Sequence, residues 1–364
     1  MKYCKQLFKA LGTLLFVVFA CWGCSPPSSS SELSAWMGSN INTESFAQVD
    51  GTYELSFPLD HGSHDDFLFE WWYLTAILDD QKGREFGVQF TIFRRALATN
   101  TDSSNPWRTG QAYMGHFAIS DIQTKSHLSD ERFSRGHPEL AGAQVEPFRV
   151  FIEDWKLASR TSSYFPLELS AGTPEYRVSL SISRGKPMIL QGTNGFSQKS
   201  PDHASYYYTF SRLPTNGTLE IDGEEYTVSG FSWLDREWSS QILSVPYRGW
   251  FWFSLNFDDG RELVLFELRS DDSEVKTLPT AMWIEADGST ALIPAENWKI
   301  TPKKYWKSYP IEWTLEMDDI RYLIAAKFNN QVMDTSIRYW EGIVEVKEED
   351  AVIGRGYMEL TGYE

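Results

Sequence analysis

Apolar residues along this chain recur at every second position or in unbroken runs, and a sustained 3.6-residue period is almost absent. The runs are Phe67–Leu78, Glu85–Phe93, Tyr113–Ser120, Tyr176–Ser183, Tyr206–Ser211, Trp250–Phe257, Leu263–Leu268, Thr280–Ile284, Ile343–Val346 and Gly356–Leu360. A two-residue period bounded by turn residues predicts strands. Between them lie Asn194-Gly195, Asn216-Gly217, Asp222-Gly223, Asp259-Gly260 and Asp287-Gly288, dipeptides that reach the positive φ angles of a tight hairpin. Short strands joined by hairpins predict an all-β chain of antiparallel barrels or sandwiches rather than a doubly wound α/β fold. One or two short helices are expected, with Trp238–Leu243 as the candidate place.

The N-terminus breaks this pattern. Lys2, Lys5 and Lys9 precede an uncharged stretch from Ala10 to Ala20, the layout of an export leader. At eleven residues the stretch falls short of the roughly twenty that cross a bilayer as a helix. Ala20 before Cys21, with Val18 and Phe19 ahead of it, resembles the lipobox of bacterial lipoproteins. Cys21 is therefore the expected lipid attachment site, with Cys24 as the alternative. The only other cysteine is Cys4, so the folded part has no disulfide. Ser25-Pro26-Pro27 and the serines that follow read as a flexible tether. The expected location is the bacterial envelope, in the periplasm or at the outer membrane.

Composition narrows the partners. The formal net charge is −17, and loss of the three leader lysines takes the remainder to −20. Such a chain repels polyanions, so nucleic acid is not expected as a partner. Aromatic residues make up 15% of the chain, more than an ordinary globular protein carries. They suit both β-domain cores and the lining of a wide apolar site. About 320 residues follow Phe46, which predicts two domains, with a boundary around residues 241–248.

Several catalytic signatures are missing. Gly230-Phe231-Ser232-Trp233-Leu234 begins like a nucleophile elbow and lacks its final glycine, and neither a phosphate-cradling glycine loop nor His-Glu-x-x-His occurs. Three clusters remain. Asp60-His61-Gly62-Ser63-His64-Asp65 precedes Glu70-Trp71-Trp72-Tyr73. A His-x-x-His pair alone is weak evidence for a metal, and none is predicted. Glu70 beside three large aromatics is either a proton donor with a raised pKa or a structural acid satisfied by an arginine such as Arg94 or Arg236. In Trp233-Leu234-Asp235-Arg236-Glu237-Trp238, strand alternation puts Trp233, Asp235 and Glu237 on one face and Leu234, Arg236 and Trp238 on the other. Two acids beside a tryptophan are costly to bury unless paired or protonated. The third cluster is Tyr206-Tyr207-Tyr208, whose phenols suit the polar end of an apolar ligand. His116, His127, His137 and His203 read as structural.

These clusters, together with Phe133-Ser134-Arg135-Gly136, Leu140-Ala141-Gly142-Ala143, Leu190-Gln191-Gly192, Tyr339-Trp340-Glu341-Gly342 and Gly356-Tyr357-x-Glu359-Leu360-Thr361-Gly362-Tyr363, resemble the AttH and carotenoid 1,2-hydratase family of secreted hydrolases. The resemblance spans nearly all of the chain beyond the tether. It implies two lipocalin-like antiparallel β-barrels packed together, over 46–240 and 241–364, after a leader at 1–20 and a tether at 21–45. It also implies a cavity for an elongated apolar molecule and no cofactor. The hydratase's His-x-Trp and Tyr-x-Asp site falls on Tyr206-x-Tyr208 and Trp233-x-Asp235, where only the acid Asp235 is kept. The expected catalytic set is Asp235 with Glu70 and Glu237. The expected ligand-facing set is His61, His64, Trp71, Tyr73, Tyr206, Tyr208, Trp233 and Arg236, and the expected ligand is a hydrophobic small molecule or lipid. The two functions in view are acid–base hydratase or hydrolase chemistry, and non-catalytic carriage of a hydrophobic ligand.

Overall fold

Strands account for nearly all the regular structure. A computed structural model describes residues 43–98, 105, 107, 109–243, 245–318 and 320–363. The leader, the candidate lipidated cysteines and the tether up to residue 42 lie outside the described residues. Among the described residues no helix is long and apolar enough to cross a membrane.

The first sheet contains β1 (Phe69–Asp80), β2 (Glu85–Ala96), β3 (Gln111–Asp121), β4 (Ser126–Arg135), β5 (Ala141–Gln144), β6 (Arg149–Ile152), β7 (Trp155–Ser159), β8 (Leu167–Gly172), β9 (Tyr176–Ile182), β10 (Ile189–Leu190), β11 (Phe196–Ser200), β12 (His203–Ile221) and β13 (Glu224–Ser239). Its path is β4-β3-β2-β1-β13-β12-β9-β8-β7-β6-β5. The ends approach where β4 meets β6, so the sheet is a nearly closed barrel. The second sheet contains β14 (Tyr247–Phe257), β15 (Glu262–Ser270), β16 (Thr280–Ile284), β17 (Thr290–Leu292), β18 (Trp298–Trp306), β19 (Tyr309–Met317), β20 (Ile320–Ala326), β21 (Val332–Met333), β22 (Tyr339–Glu348) and β23 (Ala351–Leu360). Its path runs from β17 through β14, β23 and β22 to β18, and it curls into a half-barrel. Every pairing between these strands is antiparallel.

Each sheet has its own core. Trp72, Phe86, Phe90, Phe117, Trp155, Tyr206, Tyr208 and Trp238 fill the barrel. Phe251, Phe253, Trp313, Leu315, Trp340 and Met358 fill the half-barrel. A third apolar layer, with Tyr73, Ile77, Trp233, Trp252, Met282, Ile343 and Tyr357, lies where the two sheets pack face to face. Strands β1, β12 and β13 therefore have both faces covered. Ion pairs reinforce the contact: Lys186 Nζ lies 2.8 Å from Glu262 Oε2, and Arg355 Nη1 2.9 Å from Asp79 Oδ1.

Two expectations are corrected. Trp238 is a strand residue paired with both Glu70 and Tyr206, so no helix forms at Trp238–Leu243. Regular helix among the described residues is confined to single 3₁₀ turns such as Leu59–His61. Asn216-Gly217 is not a hairpin either, because it lies inside β12, paired with β9 and β13. Gly217 is needed there for close approach, since a Cβ would sit 2.0 Å from the Ser179 carbonyl oxygen. Asp222-Gly223 does form the β12–β13 turn, with φ of 52° and 79°.

Inside the barrel, Glu70 is wholly buried against Arg94 and Arg236, themselves wholly buried. Arg94 Nε donates to Glu70 Oε1, and Arg236 Nη2 donates to Oε2 at 3.0 Å. Arg94 Nη2 also donates to the carbonyls of His64 and Phe67, each at 2.8 Å, and Arg236 Nη2 to that of Gly62 at 2.7 Å. The cluster thus ties the segment before β1 to the barrel wall. Removing one charge leaves its partners buried and uncompensated. Glu70→Gln is expected to lower stability by about 3 kcal/mol in chemical denaturation. A loss below about 1 kcal/mol, the scale of an exposed pair, would show that the cluster is not what closes this end of the barrel.

Candidate active site

Strand alternation divides the predicted residues between two compartments. On β13, Trp233, Asp235 and Glu237 point out of the barrel toward the second sheet, while Arg236 and Trp238 point inward. On β1, Trp71 and Tyr73 share the outward face, and Glu70 and Trp72 turn in. On β12, Tyr206 and Tyr208 point into the barrel, and the intervening Tyr207 points out. Of the expected site residues, Asp235, Glu237, Trp233, Trp71 and Tyr73 are brought together between the sheets. His61, His64, Tyr206, Tyr208, Arg236 and the Glu70 carboxylate gather in the barrel behind them.

The barrel group is a hydrogen-bonded and stacked network. His61 Nδ1 lies 2.7 Å from the Tyr208 hydroxyl, and its ring stacks on Tyr164 with centroids 3.6 Å apart. Burial, helped by Arg236, pushes its pKa down to about 3, so the ring is neutral. His64 stacks on Trp238 at 3.8 Å and bridges Glu70 and Asp60. For Glu70, burial alone would raise the pKa, but Arg94, His64 and Arg236 outweigh it and hold the carboxyl below the ordinary range. Of the two readings of Glu70, the arginine-satisfied acid is the one the geometry presents. Both arginines take part.

Between the sheets lies a cleft that, together with its open mouth, holds about 1150 Å³ of atom-free space. Trp71, Tyr207, Trp250, Trp252 and Phe266 give it largely apolar walls. Asp235 sits in the barrel-side wall. Its Oδ1 accepts from Trp233 Nε1 at 2.8 Å and from Thr209 Oγ1 at 2.6 Å, and its Oδ2 faces the Tyr207 hydroxyl at 2.7 Å. Burial pushes its pKa up to about 7, even though these three hydrogen bonds pull the other way. Indole N–H groups only donate, and the Thr209 hydroxyl already accepts from Gln191 Nε2 at 2.9 Å. Oδ1 is thus the oxygen that takes donors, and Oδ2, against the Tyr207 hydroxyl, is the one placed to carry a proton. Glu237 is paired with Lys199 and accepts from Ser205 Oγ at 2.5 Å.

The opposite wall supplies two acids that stand in the family motifs without an assigned role. Glu341 on β22 and Glu359 on β23 are direct cross-strand partners. Glu341 is fully buried and accepts from the Tyr73 hydroxyl at 2.5 Å. Burial and the neighbouring Glu359 push its pKa far up. Glu359 lines the cleft, and burial raises its pKa to about 8. His116 Nδ1 lies 2.8 Å from the Tyr339 hydroxyl, and burial lowers its pKa to about 3. The signal for both glutamates was present as alternation, in Tyr339-x-Glu341-x-Ile343 and Tyr357-x-Glu359. Each puts an acid on the face of an otherwise apolar strand.

This architecture recurs in solved structures. A candidate AttH protein of Nitrosomonas europaea is 32% identical with a TM-score of 0.77, the match covering 88% of this chain and all of that one. Kievitone hydratase from Nectria haematococca matches over 87% of this chain and 95% of its own at 13% identity and a TM-score of 0.65. CghA with Sch210972 matches over 80% and 88% at 12% identity and a TM-score of 0.51. The last two likenesses are of fold alone. Among curated proteins none matches the chain. The sequence fits the AttH-like family over residues 48–363, and the chain belongs to that family.

Proposed function

We propose that the protein is a cofactor-independent acid–base enzyme of the hydratase or hydrolase class that acts on a hydrophobic, lipid- or isoprenoid-like substrate in the inter-sheet cleft. The observation that carries this reading is the setting of the Asp235 carboxyl in the cleft wall. Oδ1 accepts from the Trp233 indole N–H and the Thr209 hydroxyl, which leaves Oδ2 placed to hold the exchangeable proton against the Tyr207 hydroxyl. A carboxyl raised to about 7 by burial is poised near neutral pH, where a general acid is most effective. For hydration of an alkene, Tyr207 delivers its hydroxyl proton to one alkene carbon while the Asp235 proton replaces it. The cation so formed lies among Trp71, Trp250 and Trp252, whose ring faces attract positive charge. Water adds to the second carbon and gives up one proton, which returns through the Tyr207 hydroxyl to the Asp235 carboxylate.

We further propose that the chain is exported and held by a lipid on Cys21, or alternatively Cys24, in the bacterial envelope, beside a membrane that supplies the substrate. The leader pattern and the apolar walls of the cleft support this placement. Palmitate labelling of the protein in a bacterial host should depend on Cys21, and labelling that survives loss of both cysteines would refute it.

Incubation with envelope lipid and isoprenoid extracts in H₂¹⁸O, followed by mass spectrometry, is expected to give products that carry the heavy oxygen. Asp235→Asn should lower that turnover by at least about a hundredfold while substrate is still bound. Full turnover in Asp235→Asn would remove Asp235 from the role. Bound lipid recovered unchanged from the wild type would favour a carrier. The pH dependence has a defined sign, because a proton donor must be protonated and the raised pKa keeps Asp235 protonated up to about 7. kcat/KM should therefore be level on the acid side and fall as pH rises through about 7, and a rate that rises through the same range would contradict the assignment.

A further inference from the structure

The charge inventory of the cleft is lopsided. Asp235 and Glu237 line it from the barrel and Glu359 from the half-barrel, with Glu341 packed behind Glu359 and Glu70 at the edge. Both cations among the described lining residues are committed, Lys199 to Glu237 and Arg94 to Glu70. The lining histidines His116 and His203 both have pKa values lowered by burial, so neither supplies a positive charge. An anionic ligand would find no unpaired cation and would lie close to several carboxyls in a poorly hydrated space, where like charges repel strongly.

Glu359 stands out within this set. Asp235, Glu237 and Glu341 are buried, whereas Glu359 keeps accessible surface although it is enclosed between the two sheets. That surface faces the cleft it lines. Its cross-strand partner Glu341 lies behind it, fully buried, with Oε2 lacking any hydrogen-bond partner and Oε1 held by Tyr73. Directly opposed residues of an antiparallel pair place their Cβ atoms about 5 Å apart, and two carboxyls that close in an enclosed site do not both ionise. Glu359, at about 8, is then a carboxylic acid at neutral pH, with an O–H to donate. Trp252, directly opposite Glu359 on β14, has a buried indole N–H near the Tyr207 hydroxyl that makes no hydrogen bond of ordinary geometry. Two donors at one end of an apolar cleft match an acceptor oxygen on the ligand.

We propose that the cleft takes an uncharged amphiphile whose polar end carries a hydrogen-bond-accepting oxygen, that Glu359 and Trp252 contact that oxygen, and that anionic counterparts are refused. This rests on the reading of the cleft as the working site and adds the chemical class of what enters it. The class is a ketone, aldehyde, ester or alcohol on an apolar skeleton, as opposed to a free fatty acid or a lipid phosphate.

The test is direct titration of the full chain at neutral pH with three probes that share one alkyl chain: 2-dodecanone, dodecyl phosphate and dodecane. Emission of the cleft tryptophans Trp71, Trp250 and Trp252 gives the readout. The ketone is expected to bind at least about tenfold more tightly than the phosphate. Glu359→Leu should weaken the ketone about fivefold or more and leave dodecane unchanged, while Glu359→Gln, which keeps a donor of the same shape, should restore ketone binding. Phosphate binding equal to or tighter than the ketone would overturn the charge selection and leave the catalytic role of Asp235 standing. An equal loss of ketone and dodecane in Glu359→Leu would show that Glu359 only shapes the wall, which also overturns the proposal. If none of the probes bound, this inference would fall together with the cleft as the working site.

Discussion

The structure depends on a sheet that is buried on both faces. Strands β1, β12 and β13 form one wall of the barrel and, with their other face, one wall of the cleft. Because side chains alternate strictly along a strand, each of these strands delivers two unrelated sets of residues. A one-residue slip would exchange them, putting Glu70 and Arg236 in the cleft and Asp235 in the barrel. The register is fixed from the barrel side, where Glu70 meets Arg94 across β2 and Arg236 across β13. The charged cluster that takes no part in the proposed chemistry is thus what holds the acids of the cleft in place.

The two compartments treat acids in opposite ways. Glu70 is buried among cations and stays ionised. Asp235 and Glu359 are enclosed among aromatics and other carboxyls, and both are raised toward or above neutrality. Residue type is shared, and the neighbours across the strand decide the charge. Inside the cleft, Lys199 is paired with Glu237, while Asp235 has no cation beside it among the described residues.

Much of this was legible in the sequence. The two-residue period gives the all-β class, and the same period puts Trp233, Asp235 and Glu237 on one face before any coordinates are known. Glu70 was harder, because its sequence neighbours Trp71 and Tyr73 point to the opposite side of the sheet and say nothing of its surroundings. Its environment comes from Arg94 and Arg236, which are distant in sequence. Tyr207 was passed over in favour of Tyr206 and Tyr208, although pairing of Thr209 with Asp235 and of Tyr207 with Glu237 puts the middle tyrosine on the acid's side. Glu341 and Glu359 belong to the second sheet, and only the packing of one sheet on the other brings them to Asp235. The Asn216-Gly217 step shows the limit of turn chemistry, because a glycine required for close strand approach looks the same in sequence as one required for a turn.

The central claim is that Asp235 holds a proton near neutral pH within the cleft. Infrared difference spectra of wild type against Asp235→Asn, recorded across a pH titration, test it most directly. The account predicts a protonated-carboxyl band that is absent in the variant and disappears with a midpoint near about 7. A band already absent at pH 5, with a carboxylate signal in its place, would contradict it.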